Sequence, residues 1–371
     1  MYSRGRYFLR LLCTTLAISA LCLCSQGPAA GQMVMSGFIQ HNLVSDLPGM
    51  AITTDPNLKN PWGVAFSPTS PFWIADNGTG VSTLYNGQAQ KVPLTVTIPP
   101  PGGSEGQAAP TGMVFNATNG FSVSQGGSSG PAVFIFATED GTISGWNPNV
   151  NPTAAILAVD NSTSGAVYKG LAMVSGPGGN LLFATDFHNN AVQIFNSSFA
   201  PAGSFTDPSL PPGFAPFGIA NIDGFLYVSF ALQKPPDNHD DQAGPGNGFV
   251  DVFSTGGGLM RRFASQGTLN SPWGMVFASD FGPFNNALLV GNFGDGTINA
   301  FDFSTGNFLG QLTDPKGLPI VNDGLWTLTF GNGGQGGNAN VLYFTAGLNG
   351  EQDGLFGDLQ PVQSNSGIVN P

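Results

Sequence analysis

The sequence predicts an all-β fold, a six-bladed β-propeller with four-stranded blades that is closed by the N-terminal strand. The main observation is a repeat in which an apolar strand that opens with glycine leads into a second apolar strand. The repeat continues through a turn of Gly, Asn and Asp into a third strand that ends in an aromatic residue. Its copies start at Gly63, Gly112, Gly170, Gly218, Gly274 and, without the glycine, at Thr327. A period of roughly 40 to 50 residues with several short strands is typical of propeller blades.

The later strands of each repeat follow in a regular order. The second strands read PFWIAD, AVFIFAT, LLFATD, FLYVSF, ALLVGN and VLYFTA, and the third strands end at Tyr85, Trp146, Phe195, Phe253, Phe301 and Phe356. Fourth strands follow in five repeats, at Val92–Ile98, Ala154–Val159, Gly203–Phe205, Leu259–Phe263 and Phe308–Leu312. The sixth repeat has no obvious fourth strand. Because a closed ring removes aggregation-prone sheet edges, we expect Phe38–Val44 to supply it.

The N-terminus predicts a secretory signal peptide over residues 1–31. Three arginines in the first ten residues precede the short apolar run Leu11–Leu23, and small residues follow up to Gly31. This pattern is that of a cleaved export signal rather than a membrane-spanning helix. We therefore expect a secreted or periplasmic protein with no membrane span after removal of the signal. The propeller is assigned to residues 37–361 and a flexible tail to residues 362–371.

Charge and cysteine content narrow the possible functions. The chain has 22 acidic and 10 basic residues, and three of the basic ones lie in the signal segment. The mature chain would carry a net charge of about −15 (7 basic minus 22 acidic residues). Nucleic acid is therefore not expected as a partner, because phosphate binding needs clustered Lys and Arg. All three cysteines, Cys13, Cys22 and Cys24, also lie in the signal segment, which excludes thiol catalysis and thiolate metal sites from the mature chain.

Acidic residues concentrate in the loops that the propeller topology places on one face of the ring. These are the turns from second to third strands and the links into first strands, and they carry Glu139 and Glu351 together with several aspartates. The candidate metal ligands are Asp76, Asp186, Asp237, Asp240 and Asp295, with calcium as the possible ion because it binds through oxygen ligands. The alternative is turn chemistry, since Asp and Asn side chains bond their own backbone in tight turns.

Two further features of this face are candidate binding residues. Trp62, Trp273 and Trp326 stand just before first strands, where they either form a platform for sugar rings and other flat ligands or pack between neighbouring blades. His239 lies in the longest turn, residues 234–248, where it is a candidate general base or metal ligand. The alternative is that this acidic turn is an ordinary loop exposed to solvent, with no binding or catalytic role.

Several long segments resemble a family of secreted, functionally uncharacterised bacterial β-propellers, some of which carry a C-terminal Pro-Glu-Pro sorting anchor. The matching segments are the run from His41 to Gly87, His239–Phe253, Leu288–Asp302 and Phe344–Leu359, and Leu181–Phe195 looks like an NHL-repeat blade. The resemblance implies a six-bladed propeller similar to NHL-repeat proteins and brings no established catalytic residues with it. This chain departs from the anchored members because it shows no Pro-Glu-Pro motif, so we expect a freely secreted form.

Two function classes follow from these observations. The first is a non-enzymatic binding or scaffold protein whose small-molecule, glycan or protein partner docks at the acidic loop face. The alternative is an enzyme, a metal-dependent hydrolase or lyase of the gluconolactonase type, which uses a similar propeller with a metal in the channel. The alternative depends on fold analogy, and propellers host many functions.

Overall fold

The computed structural model describes residues 37–176 and 178–362, and its sheets confirm the predicted six-bladed propeller. The predicted signal peptide lies outside the described residues, as does the predicted tail beyond residue 362. In the described part of the chain, no helix is long and apolar enough to cross a membrane.

The strands occur in blade order along the chain. The N-terminal strands are β1 (Phe38–Ser45) and β2 (Thr53–Thr54). Blade 1 contains β3 (Pro61–Ala65), β4 (Phe72–Asp76), β5 (Val81–Tyr85) and β6 (Lys91–Thr97). Blade 2 contains β7 (Pro110–Phe115), β10 (Phe134–Thr138), β11 (Thr142–Trp146) and β12 (Ile156–Asp160), with a separate hairpin of β8 (Ser122–Gln125) and β9 (Ser128–Pro131).

The remaining blades follow the same pattern. Blade 3, after a short 3-10 turn at Ser162–Ser164, contains β13 (Tyr168–Gly176), β14 (Gly179–Asp186), β15 (Ala191–Asn196) and β16 (Pro201–Phe205). Blade 4 contains β17 (Phe214–Ile222), β18 (Phe225–Leu232), β19 (Gly248–Phe253) and β20 (Leu259–Ser265). Blade 5 contains β21 (Pro272–Phe281), β22 (Phe284–Asn292), β23 (Ile298–Asp302) and β24 (Phe308–Gln311). Blade 6 contains β25 (Leu325–Phe330), β26 (Leu342–Gly347) and, after the single helical turn α1 (Leu348–Glu351), β27 (Asp353–Pro361).

The N-terminal strand closes the ring as the sequence predicted. The sheet of blade 6 has the order β2-β1-β27-β26-β25, so β1 is its fourth strand. The pairing of β1 with β27 is antiparallel, with Gln40 opposite Leu359 and Ser45 opposite Leu355. Phe38 anchors this strand, since it is only 1% exposed and its ring stacks 4.8 Å from that of Phe281 in blade 5.

The repeated glycines are explained by the close approach of neighbouring first strands around the channel. A Cβ atom on Gly218 would lie 2.1 Å from the carbonyl oxygen of Trp273 in the next blade, and one on Gly274 would lie 2.2 Å from that of Trp326. Such distances leave no room for any side chain, so glycine is required there. The repeated aromatic residues at the ends of the third strands are also buried, from Tyr85 in blade 1 to Phe356 in blade 6, and they fill the space between blades.

Candidate functional site

A plug of aromatic side chains occupies the channel where the first strands begin. Trp62, Trp273 and Trp326 are 1%, 8% and 1% exposed, and they pack with Phe217 and Phe187. The rings of Trp62 and Trp326 stack with centroids 3.4 Å apart, and Trp273 meets Trp62 edge-on at 6.0 Å. The three tryptophans proposed as a ligand platform are therefore packed against each other, and their faces are covered.

A buried ion pair lies directly above this plug. Lys169 holds in blade 3 the position that an aromatic residue holds in four other blades, and its side chain is only 3% exposed. Its ammonium group pairs with a carboxylate oxygen of Glu139 from blade 2. The same nitrogen lies 5.2 Å from the ring centre of Trp62 and 6.0 Å from that of Phe187, within the range of cation–π attraction.

Side-chain amides extend this ion pair across the ring. Asn77 donates to the second carboxylate oxygen of Glu139 at 2.9 Å and accepts from Asn60 at 3.3 Å. The amide of Asn60 also donates to Glu351 Oε2 at 2.7 Å, and its oxygen accepts from the indole nitrogen of Trp326 at 3.0 Å. Loops of blades 1, 2 and 6 thus contribute to one hydrogen-bonded network over the plug.

The long loop between β18 and β19 brings a histidine to the same place. His239 Nδ1 lies 2.9 Å from Asp240 Oδ1, and since an ionised carboxylate can only accept, the imidazole donates. Ligand atoms of Glu139, His239 and Asp240 all lie within 4.8 Å of one another. We call the group Lys169, Glu139, His239, Asp240 and Glu351 the channel mouth.

The electrostatics of the channel mouth are dominated by carboxylates. The hydrogen bond to Asp240 raises the pKa of His239, and the same bond lowers the pKa of Asp240. Burial raises the pKa of Glu351, and the negative charges of Glu139 and Asp240 raise it further. Within this group only Lys169 carries a permanent positive charge. The site therefore has a negative field that favours a cationic ligand.

Three of the five predicted metal ligands instead make hydrogen bonds to residues in or beside their own turns. Asp76 is fully buried, its Oδ2 accepts a 2.7 Å bond from the hydroxyl of Thr83, its Oδ1 has no partner among the described residues, and burial raises its pKa well above the ordinary value. Asp186 accepts from four donors, the backbone of Val167 and Asn189 and the side chains of Asn189 and Gln193. Asp295 accepts from the backbone and hydroxyl of Thr297 and from the amides of Asn270 and Asn292. These hydrogen bonds stabilise the turns themselves, which is the alternative to metal binding.

The other two predicted ligands lie in the long loop with His239. Asp240 belongs to the channel mouth, whereas Asp237 is exposed and its contact with His188 runs through its backbone oxygen, at 2.8 Å. Sequence reasoning placed Glu139 on this face without assigning it as a ligand, and it did not recognise Lys169 as a functional residue. The sequence did carry a signal for this residue, because Lys169 occupies the position just before the first strand where four other repeats have an aromatic residue.

Comparison with known proteins finds relatives that align with most of this chain. It is 32% identical over 327 residues to Uncharacterized protein R648 of Acanthamoeba polyphaga mimivirus, covering 85% of this chain and 78% of the relative. It is also 32% identical over 327 residues to Uncharacterized protein L690 of the same virus, covering 85% of this chain and 84% of that relative. No protein-family model matches the chain.

Solved structures with the same fold include two enzymes. A streptogramin B lyase has a TM-score of 0.52 and 12% identity, covering 88% of this chain and 99% of the lyase. The soluble aldose sugar dehydrogenase of Escherichia coli has a TM-score of 0.52 and 13% identity, covering 87% of this chain and 99% of the dehydrogenase. At such low identity these similarities establish the propeller fold alone. By its sequence, the chain belongs to the same family as Uncharacterized proteins R648 and L690 of the mimivirus.

Proposed function

We propose that this propeller is a non-enzymatic binding protein whose channel mouth takes a divalent cation, either alone or as part of a ligand. The observation that carries the proposal is the proximity of the ligand atoms of Glu139, His239 and Asp240, all within 4.8 Å of one another. Carboxylate oxygen and imidazole nitrogen are common metal ligands in proteins.

The charge balance of the channel mouth supports a cation. Glu139 is already paired with Lys169 and Asp240 with His239, but the carboxylate of Glu351 has no basic partner among the described residues. The pKa of Glu351 is raised by burial and by the neighbouring negative charges, which means that its ionised form is disfavoured in the absence of a cation. A bound cation would relieve this repulsion.

The donor set also bears on the identity of the ion. Calcium takes oxygen ligands only, so of the three grouped residues only the carboxylates of Glu139 and Asp240 would suit it. Imidazole is a preferred ligand of zinc and other transition metals. We expect Zn²⁺ to bind more tightly than Mn²⁺, Ca²⁺ or Mg²⁺ because His239 belongs to the set.

The proposal is tested by thermal melts of EDTA-treated protein with each of these four metals. With free metal at about 100 times its dissociation constant, binding to the folded state alone adds about 2.7 kcal/mol of stability. His239→Gln and Asp240→Asn should lose the metal-induced shift, while the matched control Asp237→Asn should keep it. Equal melting temperatures in EDTA and in all four metals would contradict the proposal.

A metal-dependent hydrolase or lyase is the second candidate. The observation that favours it is the pair His239–Asp240, in which Nδ1 donates to the carboxylate and leaves Nε2 as the basic nitrogen of a neutral imidazole. Hydrolysis of a simple lactone by the metal-loaded protein, lost in His239→Gln, would favour this candidate. Metal binding without such activity would leave the binding function as the better explanation.

The proposal also includes a location outside the cytoplasm. Its support is the signal-like N-terminal sequence, with a basic start and a short apolar core. N-terminal sequencing of exported protein should find a first residue between about residues 25 and 36. Protein that retains Cys13 would contradict export by this route.

A further inference from the structure

We propose that a second site, a cavity between blades 6 and 1, binds a neutral, hydroxyl-rich ligand such as a hexose unit. The cavity has a volume of about 550 Å³ and is lined by strands β26 and β27, the loop between β25 and β26, and the turn at residues 87–88. These turns lie at the opposite strand ends from the channel mouth. Small-molecule sites have volumes of roughly 300–1,000 Å³.

A buried carboxylate forms one wall of this cavity. Asp358 stands between His41 and Tyr343 in the register of blade 6, so the three side chains share one face of the sheet. Its Oδ1 accepts from His41 Nδ1 at 2.8 Å and from the amide of Gln360 at 3.2 Å. Its Oδ2 accepts no hydrogen bond from any residue in the described ranges, although the side chain is only 6% exposed.

Tyr343 presents an unused donor in the same cavity. Its hydroxyl oxygen accepts from the backbone N–H of Asn338 at 3.1 Å, and the residue is only 3% exposed. Within the described chain the hydroxyl proton has no acceptor. A ligand hydroxyl donates one hydrogen bond and accepts others, so hydroxyl groups can satisfy both Asp358 and Tyr343.

Glycines keep this cavity open. Gly87, Gly333, Gly334 and Gly337 line it and place no side chains in it. Gly337 has a φ of +78°, and a Cβ atom there would lie 2.2 Å from the hydroxyl oxygen of Tyr343. The loop can therefore cross Tyr343 only with glycine at this position. The exposed amides of Gln88 and Asn338 add further hydrogen-bonding groups at the rim.

The charge of the cavity favours a neutral ligand. Among the described residues that line it there is no lysine or arginine, so nothing is present to pair with a phosphate or carboxylate. The carboxylate of Asp358 already accepts a hydrogen bond from His41, whose imidazole is a charged partner only when it is protonated. A ligand that supplies hydroxyl hydrogen bonds without a charge therefore suits the cavity best.

The test uses saturation-transfer NMR titrations of the propeller with glucose, galactose, mannose and N-acetylglucosamine, and with choline as a cationic probe. At least one sugar should bind saturably while choline does not. Gly334→Tyr fills the cavity, and its Cβ position has no neighbour closer than 3.4 Å. This variant should weaken sugar binding at least tenfold, about 1.4 kcal/mol, and Asp358→Asn should do the same.

Gly256→Tyr, in an open turn of blade 4, is the matched control and should bind the sugar as the wild-type chain does. A crystal soaked with the bound sugar should show a hydroxyl within hydrogen-bonding distance of Asp358 Oδ2 and Tyr343 Oη. Failure of all four sugars to bind, equal binding of choline, or unchanged binding by Gly334→Tyr would each overturn the proposal. A sugar located elsewhere in the soaked crystal would also overturn it.

Discussion

The hydroxyl of Thr327 donates a 2.7 Å hydrogen bond to the carbonyl oxygen of Trp62, and this bond joins the last blade to the first. Thr345 donates to the same oxygen at 2.6 Å. Thr327 stands where the other five blades have glycine. Hydroxyl groups also reach the next blade at Thr111 and Thr185, but only at the junction of blades 6 and 1 does the bridging hydroxyl belong to the residue that replaces the opening glycine. This difference explains why the sixth repeat can lack its opening glycine.

Replacing a repeated glycine with alanine should lower the free energy of unfolding. The loss should be larger where the added Cβ atom lies closer to a neighbouring atom. Gly218→Ala places Cβ 2.1 Å from a backbone oxygen, Gly170→Ala places it 3.1 Å from one, and Gly256→Ala has no neighbour closer than 3.9 Å. We expect losses of free energy of unfolding in that order, with Gly256→Ala within about 0.5 kcal/mol of wild type. Urea unfolding measures the series. Equal losses at all three positions would contradict the close-approach explanation.

The closing strand should contribute a large part of the stability. Phe38→Ala removes a ring that is 1% exposed, and such changes cost about 3–5 kcal/mol. Its neighbour Ile39 is 47% exposed, so Ile39→Ala is the matched control and should cost much less. Deletion of Phe38–Val44 leaves the edge of β27 unpaired and should lower the melting temperature sharply. A deletion variant that melts like the wild type would refute the role of this strand.

Loss of the buried ammonium should destabilise the channel mouth. Lys169→Met keeps much of the side-chain volume but leaves the carboxylate of Glu139 without its cation, and breaking a buried pair costs about 3–5 kcal/mol. Adding Glu139→Gln should recover part of that loss, because the uncompensated charge is removed. Urea unfolding of both variants tests this, with the exposed Lys316→Met as the control. If Lys169→Met were as stable as the wild type, the ion pair would contribute nothing to the free energy of unfolding.

Two buried aspartates that contact Arg262 of blade 4 should make the free energy of unfolding depend on pH. Arg262 contacts both Asp251 and Asp207, whose side chains are fully buried, and Asp251 Oδ2 has no partner among the described residues. Burial raises the pKa of Asp251 to about 7, and the nearby Asp207 adds to the effect. The folded state then binds more protons than the unfolded state between pH 3.8 and about 7. Stability contributed by this group is therefore greatest at low pH and is lost as pH rises through that range.

Asp251→Asn removes this titration. The free energy of unfolding of the variant should fall less than that of the wild type between pH 4 and about 7, as measured by urea unfolding at several pH values. Asp223→Asn, an exposed aspartate in the β17–β18 turn, changes the charge equally and should follow the wild-type curve. If the free energy of unfolding of Asp251→Asn and that of the wild type depended on pH in the same way, the prediction would be wrong.

Part of the site was within reach of sequence reasoning. The repeat placed Glu139, Asp240 and Glu351 on one face, because alternating strand directions determine which loops emerge together. It could not separate Asp240 from Asp76 or Asp186, since all three look alike in sequence. Their difference comes from hydrogen bonds inside the folded turns, which saturate Asp186 and bury Asp76 against Thr83.

The sequence by itself determined the propeller, its six blades and its closure, because those features follow from local patterns of apolar strands, glycines and turns and from the missing sixth outer strand. Only the tertiary structure decided which side chains meet. Asn60 and Glu351 are hydrogen-bonded although they are 291 residues apart, and Lys169 lies over Trp62 from a different blade. Such contacts form because ring closure brings the starts of all six first strands to one axis. Local sequence patterns do not specify which side chains meet at this axis.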